Sequence, residues 1–311
     1  MKKRVAIYYS TSFGRNDGCP LYYFEALKRI PDLEVVHLDP QGDTSEFGKF
    51  DYHFWVDWGE DGLPVDHDWM PPQDGGHTVY VCSDAHINKE GREYRFGRAQ
   101  KFDYVFFNQK KFMPEFAEYL LQHKATGKPK YWEFLPHAVE PLAYPYFEII
   151  KRWDVGFIGH IQDVKNYNGF SRIDFLDRMF KEFPNFYFGS RSSLKQGVNM
   201  FEDAARKFCQ SRVVLNISIK EDINMRVFET MATGSFLLTN YIPTLGDLFE
   251  DGKHLVTYKT LDEAVEKTKY YLTHEEEREK IAKAGQKEVL AKHKYQDRVE
   301  HILKIINSKK V

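Results

Sequence analysis

Short strand-type runs alternate with helical patterns along this chain, and that alternation limits the fold more than any other feature. Val5–Tyr9, Glu34–Leu38, His53–Asp57, Thr78–Cys82, Tyr104–Asn108 and Trp132–Leu135 read as strands, with helical stretches such as Tyr22–Arg29 and Phe112–His123 between them. Strands joined by crossover helices pair in parallel, so the order predicts a doubly wound α/β sheet. Ligands of such sheets bind in the loops beyond the carboxyl ends of the strands. The proline-rich segment Leu135–Pro145 breaks the periodicity and reads as a linker. A second α/β unit starts at Asp154–Gly159 and continues with strands at Phe186–Phe188, Val213–Ile217 and Phe236–Thr239. At 311 residues and 42% hydrophobic content, the chain can fill two cores.

Within the second unit, Val213–Ser218 is followed by Glu221-Asp-Ile-Asn-Met-Arg-Val-Phe-Glu229, then by Thr-Met-Ala-Thr-Gly234 and the apolar run Ser235–Thr239. The segment reads as strand, loop, helix, strand, with Glu221 in the loop and Glu229 about two turns into the helix. The start of such a helix offers free N–H groups and a positive dipole end, which suit a diphosphate. A carboxylate farther along can accept hydrogen bonds from ribose hydroxyls. The bland reading is a surface helix carrying an Arg226–Glu229 pair at i,i+3.

Glu221-x7-Glu229 with the following Met-Ala-x-Gly resembles the donor-binding motif of GT-B glycosyltransferases. The wording Asn-Met-Arg-x-Phe-Glu is most similar to the CgeB-like branch, near the retaining family-4 enzymes. The resemblance covers most of residues 150–305 and implies two Rossmann-like domains facing a cleft. Residues 1–145 would be the acceptor-side domain and 146–285 the nucleotide-sugar domain. The last segment, 286–311, would form a helix that packs either on the first domain or on its own.

By that resemblance Glu229 holds the ribose. Glu221 faces the transferred sugar and favours positive charge at its anomeric carbon. Backbone N–H groups of Asn224, Met225 and Arg226 hold the diphosphate, with Asn224 standing where glycine is usual. The family places a glycine at the end of the first strand of this domain, then arginine, and lysine six residues after the glycine. Here these positions are Gly159, His160 and Lys165. A neutral histidine lacks the guanidinium fork, so Arg226 or Arg172 is the source left for the missing charge.

The first domain offers fewer signals. Gly14 and Gly18 lie in the loop after the first strand and permit close backbone approach. The dinucleotide spacing G-x-G-x-x-G is absent. Ser83-Asp-Ala-His86 ends the fourth strand. Asp84 or His86 is placed to contact the sugar or deprotonate an acceptor hydroxyl, and a helix cap is the plainer role for His86. Asp66-His-Asp68 has an Asp-x-Asp spacing but lies in turn-rich sequence, so no metal is expected.

A net charge of −2 speaks against nucleic acid as a partner. Cys19, Cys82 and Cys209 show neither metal spacing nor a disulfide framework, which fits a reducing cytoplasm. The run Val5–Tyr9 is too short for a signal peptide, and no stretch approaches the ~20 apolar residues that span a bilayer. Lys110–His123 mixes cations with Phe112, Phe116 and Leu120. It is read either as an ordinary amphipathic helix or as a peripheral membrane contact. Thr260-Leu-Asp-Glu263 and Thr273-His-Glu-Glu276 are capping-box patterns that announce helices, and Lys287–Ile306 reads as a last helical run.

The expectation is a cytoplasmic, metal-independent transferase with no cofactor. It takes a nucleoside-diphosphate sugar as co-substrate and a glycan, glycoprotein or lipid-linked acceptor, with retention implied by resemblance. A nucleotide-sugar epimerase or hydrolase, and a non-catalytic glycan-binding partner, are the alternatives.

Overall fold

The structure, a computed structural model, describes residues 2–9, 18–39, 48–57, 74–83, 89–125, 129–161, 165–190 and 200–308. The chain forms two compact units, Met1–Pro136 together with Tyr295–Val311, and His137–Lys294. The divisions therefore fall at 136 and 294, against the 145 and 285 read from sequence.

The first unit is built on six parallel strands: β1 (Lys3–Tyr8), β2 (Leu33–Leu38), β3 (Tyr52–Val56), β4 (His77–Cys82), β5 (Tyr104–Phe107) and β6 (Tyr131–Phe134). Their order in the sheet is β2-β1-β3-β4-β5-β6. Every residue of β3 and β5 is buried, the mark of strands covered on both faces. Helices α1 (Cys19–Lys28), α2 (Lys89–Ala99) and α3 (Phe112–Gln122) belong to this unit. Much of the aromatic content is spent here as core. Phe96 of α2 lies 5.3 Å from Phe116 of α3 and 5.9 Å from Phe107 of β5, ring centre to ring centre. Phe112 and Phe116 are fully buried and Leu120 packs on the same cluster. The apolar face proposed for a membrane therefore lines the core.

The second unit holds β7 (Trp153–Ile158), β8 (Phe186–Gly189), β9 (Ser211–Asn216), β10 (Leu237–Asn240) and β11 (Val256–Tyr258), all parallel, in the order β11-β10-β9-β7-β8. Its helices are α4 (Arg172–Glu182), α5 (Met200–Gln210), α6 (Met225–Ala232), α7 (Leu261–Thr273) and α8 (Glu275–Lys292). Val155, Phe157, Val213, Leu215, Phe236 and Leu238 pack with Phe175 and Met179 of α4 as the core.

Two expectations fail here. Thr260 does cap α7, its side chain accepting from the Glu263 N–H. Thr273 does not cap the next helix. It is the last residue of α7 and its hydroxyl donates to the Tyr270 carbonyl at 2.9 Å, so His274 takes the cap position without a side-chain bond. The helical run Lys287–Ile306 is also interrupted. At His293–Lys294 the backbone bonds to Val139 instead, with the Val139 N–H donating to the His293 carbonyl at 3.0 Å.

After that break the chain rejoins the first unit as α9 (Tyr295–Ser308). Tyr295 is buried, with its ring 5.2 Å from those of both Tyr22 and Tyr23 on α1. Arg298 Nε donates to the Pro136 carbonyl at 2.9 Å and fastens the helix to the exit of the same unit.

Candidate functional site

The second sheet reverses its strand order at β7, which has β8 on one side and β9 on the other. The carboxyl ends of β7 and β9 thus flank a topological switch point, the place where parallel sheets receive ligands. What gathers there follows from one buried amide. Asn216 ends β9 and is completely buried. Its Oδ1 accepts from Asn224 Nδ2 and from Arg226 Nη1, both at 3.2 Å. Its Nδ2 donates to Thr239 Oγ1 at 2.9 Å, and its carbonyl accepts from the Tyr258 hydroxyl at 2.7 Å. The residue ties β9, β10 and β11 to the start of α6. Sequence reading passed over it, although an amide closing the apolar run Val213-Val-Leu was the available signal.

Arg226, at the second position of α6, turns back over the end of β7. A Cβ built on Gly159 would stand 3.0 Å from Arg226 Nη2 and 3.0 Å from Phe157 Cζ, so a side chain there would crowd the guanidinium. Arg172, the first residue of α4, approaches from beneath. It is buried, and its Nη1 and Nη2 donate to the carbonyls of His160 at 2.6 Å and Ile217 at 2.7 Å. Both guanidinium carbons face the Phe157 ring, at 5.8 Å for Arg172 and 5.5 Å for Arg226. Burial pushes Arg172 down to about 10, and the nearby charge of Arg226 pushes the same way. Two like charges are held at this edge by carbonyls, an amide and an aromatic face.

Arg172 can stand where it does because α4 starts cleanly. Ser171 accepts from the Asp174 N–H while Asp174 reaches back to the Ser171 N–H, a complete capping box. The preceding loop is pinned to the Glu221 loop. Asn166 bridges to Lys220, and the Tyr167 N–H donates to the Lys220 carbonyl at 3.0 Å. Lys220 has φ of 49°, a conformation uncommon for a side-chain-bearing residue, and it turns the chain into Glu221.

The structure thus brings Gly159, His160, Arg226, Met225 and Asn224 to one edge, with Lys165 on the loop joined to the Glu221 segment. Lys165 and His160 are exposed, while Glu221, Asn224, Met225, Arg226 and Glu229 are half-buried. Asn224 has φ of −68° and ψ of 162°, ordinary extended backbone, so the absence of a glycine costs no strain. Its side chain does not cap α6. The amides of Met225 and Arg226, in the first turn, have no acceptor within the helix. Glu229 is the fifth residue of α6, just over one turn from its start rather than two.

Gly14, Asp84 and His86 lie outside the described residues, as do Asp66 and Asp68. Among the described residues no group of three His, Cys, Asp or Glu side chains could hold a metal ion. No described helix is long and apolar enough to cross a membrane.

No curated protein matches the sequence. Residues 173–304, just under half of the chain, match a family described as "Glycosyl transferase-like". Sucrose-phosphate synthase from Thermosynechococcus elongatus shares 10% identity and aligns with a TM-score of 0.66 over 99% of both chains. HepE of Anabaena, solved with UDP and glucose, shares 12% identity with a TM-score of 0.66 over 99% of this chain and 100% of its own. The pneumococcal O-GlcNAc transferase GtfA, in complex with UDP and GlcNAc, shares 14% identity with a TM-score of 0.50, over 82% of this chain and 56% of its own. The fold is GT-B, and the segment holding Asn216, Glu221, Arg226 and Glu229 lies within the glycosyl transferase-like match.

Proposed function

We propose that the protein is a glycosyltransferase that binds a nucleoside-diphosphate sugar at the carboxyl edge of the second sheet. The observation that carries this reading is the pair of arginines at the β7/β9 switch point, Arg226 against Gly159 and Arg172 on the carbonyls of His160 and Ile217, beside the first turn of α6. A diphosphate supplies the negative charge that such an edge favours, and first-turn amides add hydrogen bonds to it. In this reading Arg226 and the amides of Met225 and Arg226 hold the diphosphate. Lys165 adds a cation, Glu229 accepts the ribose hydroxyls, and Glu221 faces the donor sugar. As the bond to the leaving diphosphate breaks, the cations stabilise the charge that builds on it, and Glu221 favours the charge left at the anomeric carbon.

The complexes of similar folds with UDP and a sugar make UDP-sugars the first donors to test. The acceptor is a glycan or glycan-bearing molecule. Retention of configuration, with front-face attack assisted by the leaving diphosphate, is the stereochemical expectation.

The test is release of free nucleoside diphosphate from a panel of UDP-, GDP-, dTDP-, CDP- and ADP-sugars, with and without a mixture of glycan acceptors. One donor should be consumed faster with acceptor present. Glu229→Ala should lower kcat/KM for it at least tenfold, about 1.4 kcal/mol of transition-state binding. Product formed equally from donor alone points to the epimerase or hydrolase instead. A folded chain that neither binds nor turns over any donor overturns the transferase reading and leaves the glycan-binding partner.

A further inference from the structure

Arg172 helps to carry this reading but has been given no role of its own toward the ligand. It is 6% exposed, sits at the head of α4, and spends both terminal nitrogens on main-chain carbonyls of the two strand ends that define the switch point. Its Nε has no hydrogen-bond partner. A guanidinium that hydrogen-bonds only carbonyls keeps its positive charge, and here it shares the Phe157 ring with the second guanidinium, of Arg226. Asp222 and Tyr258 act on Arg172 in the opposite sense, more weakly than burial and Arg226 do.

Resting on the donor-site reading, we infer that Arg172 is a positioning residue for the diphosphate. It fixes the carbonyls of His160 and Ile217, and its charge shares the Phe157 ring with that of Arg226, so that an anion seated on Arg226 also meets the field of Arg172. The cation expected directly after Gly159 is absent because His160 stands there. The like-charge pair supplies the potential instead, one member in contact with ligand and one behind it. Two consequences separate this from a purely structural arginine. The effect of Arg172 must grow with the charge of the ligand, and it must be recovered in part by any cation that fits the space.

The experiment is calorimetric titration of the full chain with UDP, inorganic pyrophosphate and uridine, on wild type, Arg172→Gln and Arg172→Lys. Melting temperatures identify the variants that remain folded. Arg172→Gln should weaken UDP and pyrophosphate at least tenfold and change uridine less than twofold. Arg172→Lys should keep both anions within about threefold of wild type and holds the test open if the glutamine variant does not fold. Equal loss for all three ligands, or unchanged UDP affinity in a folded Arg172→Gln protein, overturns the inference while leaving the donor site standing. Pyrophosphate bound as tightly as UDP, with Arg172 dependence, supports the anion device and removes the nucleotide reading. A wild-type chain that binds neither anion overturns both.

Discussion

Asp57 shows how much a single side chain can hold in this protein. It directly follows β3 and is 1% exposed, yet its carboxylate accepts from Arg95 Nε at 3.2 Å, Arg98 Nη1 at 3.3 Å, Trp55 Nε1 at 3.2 Å and the Tyr80 hydroxyl. Burial, then the Asp57 charge, hold the Tyr80 hydroxyl well above its ordinary range, so it remains a donor. Removing one partner of a buried ion pair strands the others, at a cost of about 3–5 kcal/mol. Asp57→Ala is therefore expected to lose stability on that scale in denaturant unfolding, with a value under about 1 kcal/mol contradicting the assignment. None of this was legible in the sequence. Asp57 read as the last residue of a strand, and its arginines are 38 and 41 positions away. The strand, loop and helix that hold Glu221, Arg226 and Glu229 were legible because they lie in one short segment of local spacing. Asn216 escaped, and Arg172 was named only as a possible source of charge, because their roles depend on which strand ends the sheet order brings together.

Among the elements, α6 and α8 illustrate how close packing overrides local propensity. Gly285 lies inside α8, where alanine would be favoured by about 1 kcal/mol on propensity alone. A Cβ there would stand 2.2 Å from the His254 carbonyl oxygen and 3.1 Å from Met231 Cε of α6. Overpacking against main chain costs about 1–3 kcal/mol. Gly285→Ala should lower the melting temperature of the protein by several degrees. An unchanged or raised melting temperature would show that the two helices can separate without penalty. The same competition explains what the sequence misread at this scale. Thr273-His-Glu-Glu276 has the composition of a capping box, but Thr273 completes α7 and its hydroxyl turns back to Tyr270. Ser171–Asp174 is the box that forms, at the head of the helix that delivers Arg172. The three-residue strand Val256–Tyr258 went unread because so short a run carries no periodicity.

At the scale of the whole molecule, the alternation of strands and helices was enough to give two parallel sheets, and the comparisons with solved structures agree on that architecture. The discontinuity of the first unit was less legible. Its last helix arrives after 158 residues of the second unit, through a break where the Val139 N–H donates to the His293 carbonyl. Renumbered from β7, the five strands of the second sheet follow the order of the first five strands of the first sheet, so both have a switch point. The account assigns the donor to the second one, on the strength of Arg172, Arg226 and Gly159. Amide hydrogen exchange with and without saturating UDP tests that claim most directly. The account predicts slowed exchange at Gly159–His160 and across Asp222–Val227 when UDP is bound. Unchanged exchange in both segments, under conditions where UDP binding is measured independently, would contradict it.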